Sequence, residues 1–323
     1  MILLLINNKP YHYEIIETVI HKYYKILNIN KQHSPPHIFL EMKENVEYSA
    51  YIKDKYPNVT INKHDFFGYD YLINCSVYGI EYEIVKSNIA HNHHYICHDV
   101  SADMKLLPNV HFVTPLNNNN YIYCDVLPFC KEPKIKNDIP TYIIQGELSA
   151  YRRDFKLLSK ILEGTYEFPF KFIIIGKGPP CPELIDLYVL YKDKVEIKCD
   201  LGFLDYHRMF LSCYCVFPCI SEERNSMYYR NKLTSTINYA RAYNLPILLD
   251  SRMQYIYNCK NAYVYKNDDK LCKYFNKSLE HFYKNNPCLS PVPSLAIHCA
   301  NINSTFGISP LVDVKELWEK SKN

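Results

Sequence analysis

Side chains able to do acid–base or ligand chemistry are densest at His91-Asn-His93-His94-Tyr-Ile-Cys97-His98-Asp99, where four imidazoles, a thiol and a carboxylate crowd together. Zinc needs four donors converging tetrahedrally, and an extended run sends alternate side chains to opposite faces. No metal is therefore expected here, and most of these histidines read as surface or core residues. His98 and Asp99 differ, because they fall just past a predicted strand, Tyr95 to Cys97. A histidine there, oriented by a carboxylate, could polarise or deprotonate a hydroxyl, or contact a bound substrate; a loop histidine without a role is the alternative.

A second constellation is cationic. Gly146-Glu-Leu-Ser-Ala-Tyr-Arg152-Arg153-Asp154 sets two guanidinium groups at the start of a predicted helix, whose free N–H groups favour an anion. Further on, Lys232-Leu-Thr234-Ser235-Thr236 places a lysine and small hydroxyl residues ahead of the apolar face Ile237, Ala240. Thr234 and Ser235 either cap that helix or hydrogen-bond a phosphate oxygen. Two such sites suit a diphosphate.

Glycine usage sharpens this reading. The chain has 8 glycines in 323 residues, where about 7% is usual. Gly146, Gly176, Gly178 and Gly202 each follow a predicted strand. In an open parallel sheet the ligand crevice lies outside the carboxyl ends of the strands. A tight turn explains any one of these glycines, but four along one edge favour a binding rim. The 31 tyrosines, with Lys, Asn and Ile also frequent, fit a drift toward AT-rich codons more than a functional demand. A dinucleotide fingerprint is absent: Asn7-Asn-Lys-Pro-Tyr-His12 follows the first predicted strand with no glycine, and Gly176-Lys-Gly178 runs into prolines. No Walker phosphate loop is present either.

The elements that must position these residues alternate short apolar runs with segments of helical period, which predicts α/β architecture with parallel strands. Predicted strands include Ile2 to Ile6, His37 to Leu40, Val59 to Ile61, Tyr71 to Cys75, Tyr95 to Cys97 and Val110 to Val113. A helix is predicted over Tyr13 to Ile26. Strands at Tyr142 to Gln145, Phe172 to Ile175, Val195 to Cys199, Cys213 to Pro218 and Pro246 to Asp250, with helices between them, repeat the pattern. Two doubly wound, Rossmann-like domains are expected, 1–132 and 141–305, joined by a polar, proline-containing linker at 133–140. A closing helix within 306–323, over Pro310 to Lys322, completes the chain.

Composition agrees: 48% hydrophobic and 22% charged residues are values of ordinary globular chains. Net charge is +3, with 37 basic and 34 acidic side chains interspersed, so no nucleic-acid arm is expected. The opening MILLLINN is too short for a signal peptide or a bilayer span. Thirteen cysteines, many inside apolar runs, read as reduced thiols of a cytoplasmic protein.

Tyr-Ile-Ile-Gln-Gly146-Glu-Leu-Ser-Ala-Tyr-Arg152-Arg153, then Phe-Ile-Ile-Ile-Gly176-Lys-Gly178, then Asp-Leu-Gly202-Phe203-Leu204-Asp-Tyr-His-Arg, then Lys232-Leu-Thr-Ser-Thr-Ile-Asn-Tyr-Ala with Leu-Pro-Ile-Leu-Leu-Asp250, resembles the donor domain of GT-B glycosyltransferases of the group-1/family-4 type. Its flavour is that of the divergent members encoded by large DNA viruses of protists. The likeness covers roughly residues 140 to 260. It implies two Rossmann-like domains facing a cleft, the second holding a nucleotide-sugar (UDP- or GDP-linked) and the first the acceptor. Carried over by motif, Gly146 lets the loop approach the donor, Arg152, Arg153 and Lys232 meet the diphosphate, and Thr234 and Ser235 bond phosphate. Gly176, Phe203 and Leu204 take the base. The family has two glutamates separated by seven residues; Glu222 or Glu223 supplies the first, near the donor sugar, but Arg230 and Asn231 stand where the second belongs.

The expected activity is thus transfer of a hexosyl or pentosyl group from a nucleoside-diphosphate sugar to an acceptor hydroxyl on a glycan or protein-glycan, with no metal and no cofactor. Cationic side chains and helix N–H groups stabilise the leaving diphosphate. His98, Asp99 and Glu223 are the candidate catalytic residues. Viral origin would place the protein in the host cytoplasm. A sugar-nucleotide epimerase of the same shape and a non-catalytic nucleotide-sugar-binding module are the alternatives.

Overall fold

The computed structural model describes residues 2–9, 11–29, 37–62, 69–77, 93–97, 109–113, 121–122, 128–130, 132–230 and 232–286. Every strand pairing among them is parallel. The first sheet comprises β1 (Ile2–Asn7), β2 (His37–Met42), β3 (Val59–Ile61), β4 (Tyr71–Val77), β5 (His93–Cys97), β6 (Val110–Val113) and β7 (Tyr121–Ile122), in the order β3-β2-β1-β4-β5-β6-β7. Its helices include α1 (Tyr13–Ile29) and α2 (Val46–Lys55). Winding reverses between β1 and β4, the switch point at which open sheets of this kind leave a crevice.

The second sheet runs β10-β9-β8-β11-β12-β13. Its strands are β8 (Thr141–Glu147), β9 (Lys171–Lys177), β10 (Val195–Cys199), β11 (Cys215–Val216), β12 (Ile247–Asp250) and β13 (Ala262–Tyr265). Between and after them lie α3 (Phe155–Glu163), α4 (Pro182–Leu190), α5 (Phe203–Leu211), α6 (Glu222–Asn225), α7 (Met227–Arg230), α8 (Ser235–Ala242), α9 (Ser251–Tyr257) and α10 (Asp268–Asn285). This sheet reverses between β8 and β11. Two doubly wound parallel sheets with interleaved helices are the architecture expected from the sequence.

Parallel strands covered on both faces read as unbroken apolar runs, and Tyr142, Ile143 and Ile144 of β8 are all fully buried. From α3, Phe155, Leu157, Leu158, Ile161 and Leu162 cover that sheet. From α10, Leu271, Phe275 and Leu279 join the same core, with Phe275 stacked on Phe172 at 5.8 Å. Seven elements were not named from sequence: α2, β7, α6, α7, α9, β13 and α10. The predicted helix over Pro310 to Lys322 lies outside the described residues.

Two compact units form. One gathers the described residues of Met1–Glu132 with Gly202–Arg208 and Asn225–Asn244; the other gathers Pro133–Leu201, Met209–Arg224 and the described residues from Leu245 onward. The core of the first unit is aromatic. Tyr13, Tyr48, Tyr51 and Phe129 surround Phe203 at centroid distances of 5.0 to 6.2 Å, and His207 sits 4.5 Å from Phe129 and 5.1 Å from Tyr239.

Candidate functional site

At the carboxyl edge of the second sheet, Gly146 of β8 pairs with Gly176 of β9. A Cβ on Gly176 would lie 1.9 Å from the Gly146 carbonyl oxygen. Gly146 has φ 127°, and a Cβ there would meet Arg153 Nη2 at 2.0 Å. The positive φ favours glycine here, and the Arg153 side chain packed over it would have to move to admit a Cβ. Arg153 is only 3% exposed; its Nε donates to the Gln145 carbonyl (3.1 Å) and Nη1 to that of Arg152 (2.8 Å), and Nη2 also donates to Gln145. Sequence reading placed this guanidinium on a diphosphate, whereas the structure commits it to backbone carbonyls. Arg152 is the more exposed of the two, its Nε 3.3 Å from the Glu147 carboxylate.

The open N-terminus expected for α3 is occupied from within. Asp154 is the N-cap, accepting from Lys156 N–H (3.3 Å) and the Ser221 hydroxyl (2.5 Å), with Arg224 Nε at 3.7 Å. Its own N–H donates to the Cys219 carbonyl at 2.7 Å. One carboxylate therefore ties the loop after β8 to the loop after β11, across the switch point. An anion at this helix start, favoured by the dipole, is supplied by the chain. Glu223 is exposed on α6, and its neighbour Glu222 pairs with Arg252. Gly178 has φ 81° with open space around it, and donates its N–H to the Asp200 carboxylate at 3.0 Å.

Of the three residues carried over for base contact, Gly176 belongs to this rim, whereas Phe203 and Leu204 lie in the other unit and are already engaged. Phe203 is 8% exposed inside the aromatic core, so its ring is packing, not a stacking platform open to a ligand. Leu204 donates its N–H to Glu47 Oε2 at 3.0 Å, because the first N–H groups of a helix need acceptors and α2 brings a carboxylate to them. Lys232 is half-buried and donates its N–H to Met227 at 2.9 Å. Thr234 is the N-cap of α8 by backbone only; its hydroxyl donates to that of Thr236 at 3.1 Å. Ser235, half-buried, opens the helix. In the same unit the Tyr239 hydroxyl donates to Glu14 Oε2 at 3.1 Å, and burial pushes the Glu14 carboxyl above its ordinary range.

His98 and Asp99 lie outside the described residues. Of their neighbours, His94 Nδ1 lies 3.1 Å from His111 Nε2, and His93 Nε2 3.2 Å from the Tyr69 hydroxyl. Among the described residues no three His, Cys, Asp or Glu side chains gather as a metal site.

Sequence reading passed over a pair at the first sheet's switch point. His12 ends the loop after β1, and its Nδ1 lies 2.5 Å from the Ser76 hydroxyl near the end of β4. The signal the sequence offers is a histidine in the loop that follows the first strand.

No protein-family model matches the sequence, and no curated protein does. Solved structures do match. AviGT4, a glycosyltransferase involved in avilamycin A biosynthesis, superposes with a TM-score of 0.51 over 90% of this chain and 99% of its own, at 9% identity. Anabaena HepE, solved with UDP and glucose, gives 0.51 over 99% and 98% at 11% identity. The chain has the GT-B fold. Sucrose-phosphate synthase from Thermosynechococcus elongatus gives 0.51 over 95% and 99% at 10% identity. At such identities the GT-B likeness is one of fold, and residue roles must come from this chain's own geometry.

Proposed function

We propose that the chain is a metal-independent glycosyltransferase that takes a nucleoside-diphosphate sugar as donor and an acceptor hydroxyl as its second substrate. The observation carrying this reading is the switch point of the second sheet, where two paired glycines, a buried arginine and the more exposed Arg152 meet within a GT-B fold. Of the two arginines named from sequence in this unit, Arg152 is the more exposed, and its partner Glu147 is itself exposed, so an incoming diphosphate competes with Glu147 for it. Charge-assisted bonds from a guanidinium to a leaving phosphate strengthen as the anomeric C–O bond breaks. Lys232 and the start of α8, the other cationic candidate named from sequence, belong to the first unit and are tested separately.

Nucleoside diphosphate release from a panel of UDP-, GDP- and dTDP-linked sugars tests the reading. The wild-type chain should turn over at least one donor. Arg152→Ala and Lys232→Ala should each lower kcat/KM about tenfold or more, the loss of one charge-assisted contact. Wild-type turnover in both variants would sink the assignment of these cations. Arg153→Ala is unsuited to this test, since it removes a buried, fully bonded group and perturbs the fold.

A further inference from the structure

The crossover helix α4 departs from the pattern of its neighbour α3. On α3 the exposed positions Lys156, Lys160 and Glu163 are all charged, as an amphipathic helix packed on a sheet requires. On α4 only Leu184 and Leu187 are buried, and both join the core of the second unit. Its outward positions carry Ile185 (44% exposed), Tyr188 (44%), Val189 (66%) and Leu190 (73%). With 3.6 residues to a helical turn, Ile185, Tyr188 and Val189 form one stripe, and Leu190 extends it past Val189. Single exposed apolar side chains are ordinary, whereas a contiguous group on one short helix marks a surface that binds something.

The charges around the stripe decide what fits it. Exposed Glu183 and Asp186 lie in the first half of the helix; exposed Lys192 follows its C-terminal end, with Asp193 and half-buried Lys194 next in the turn. A helix that lies on a membrane flanks its apolar face with lysine and arginine, but here carboxylates outnumber ammonium groups, and anionic headgroups would be repelled. A face acidic at one end and net basic at the other is instead complementary to itself when turned about a two-fold axis, the commonest symmetry of pairs of identical chains. The adjoining strand β10 is the edge of its sheet. Glu196 and Lys198 pair along it at 3.1 Å, and charged edge residues discourage strand-to-strand pairing. The helix, rather than the strand edge, is therefore the adhesive element.

We infer that α4 is the seat of a homodimer. It packs antiparallel against α4 of a second copy about a two-fold axis, with Ile185 on Val189 of that copy, Tyr188 beside the axis, and Glu183 opposite Lys192. This pairing does not depend on the transfer chemistry proposed above. An interface of standard size buries about 800 Å² on each partner, more than four partly exposed side chains supply. The dimer therefore belongs to the weaker, reversible class, with a dissociation constant on the order of micromolar.

Sedimentation equilibrium of the full chain tests the pairing, over a range from about 1 to about 200 µM that brackets a weak interface. The apparent mass should rise from that of one chain to that of two. Val189→Asp places a charge at the centre of the interface while altering a side chain already in water. It should leave the unfolding midpoint of the dilute protein unchanged and weaken association by about tenfold or more. Glu183→Lys and Lys192→Glu should each weaken association, and the double variant should recover the wild-type constant, because the reversed charges again face each other. A chain that stays single at the highest concentration, a dimer indifferent to Val189→Asp, or a double variant no tighter than either single one overturns the assignment. So does binding of the wild-type chain to phosphatidylcholine–phosphatidylserine vesicles that Val189→Asp abolishes, which would give this face to a membrane.

Discussion

At Gly146, a φ of 127° and an arginine nitrogen 2.0 Å from any Cβ combine two penalties in one position. Gly146→Ala should destabilise the protein by about 2–4 kcal/mol, from strain at positive φ and from overpacking. In an Arg153→Met background the same change should cost less, and a double-mutant cycle from denaturant unfolding measures the difference. Equal costs in both backgrounds would show that Arg153 does not impose the glycine. Glu14 and His207 carry the residue-scale dependence on pH. Burial raises the Glu14 carboxyl above its ordinary 4.5, so its contribution to stability is full below that value and lost as pH rises through the folded pKa. Glu14→Gln should therefore be increasingly more stable than wild type above pH 4.5; a pH-independent gap would refute this. Burial lowers His207 from 6.5 to about 3, so its contribution is present above pH 6.5 and lost as pH falls toward 3. His207→Phe should flatten the acid side of the stability curve by up to about 1.4 kcal/mol per pH unit.

Among the elements, α3 and α5 are both capped by carboxylates, and only one of these was within reach of sequence reasoning. Asp154 directly precedes α3, in the position where an aspartate is a strong cap. Asp154→Ala should cost about 1–2 kcal/mol and free the loop carrying Ser221, read as faster amide exchange over residues 219–224. Glu47 caps α5 from 157 positions earlier, and no local pattern announces that. Glu47→Ala should lower stability by about 1 kcal/mol, with Glu47→Gln recovering part of it. The same distinction explains what was legible. Strands such as β8 and β9 were found because unbroken apolar runs survive without context, whereas α2 buries only Tyr48 and Ile52, too few to show a helical period. Arg153 looked like a ligand group because sequence shows the charge and its neighbours but not the carbonyls that enclose it. His12 and Ser76 stand 64 positions apart, and a pair formed by sheet order rather than by spacing leaves no local mark.

For the whole molecule, the decisive fact is that the first unit is not a contiguous stretch of chain. Phe203, His207 and Tyr239 are as much part of its core as Tyr13 and Tyr48. A fragment ending at Glu132 lacks those rings, leaves Glu14 without Tyr239 and leaves Glu47 without a helix to cap. Expressed alone it should bind a hydrophobic dye, show weak near-ultraviolet circular dichroism and aggregate; a monomeric fragment with sharp cooperative unfolding would contradict the interleaving. The same interleaving sets a timetable for synthesis. While the ribosome makes the first sheet, the aromatic side chains meant to line its helices face water, and their partners are translated only with residues 202–208 and 225–244. The segment made first is therefore among the last to reach its native packing, and a nascent chain stalled before residue 244 should remain a substrate for chaperones and proteases although most of its length has already emerged.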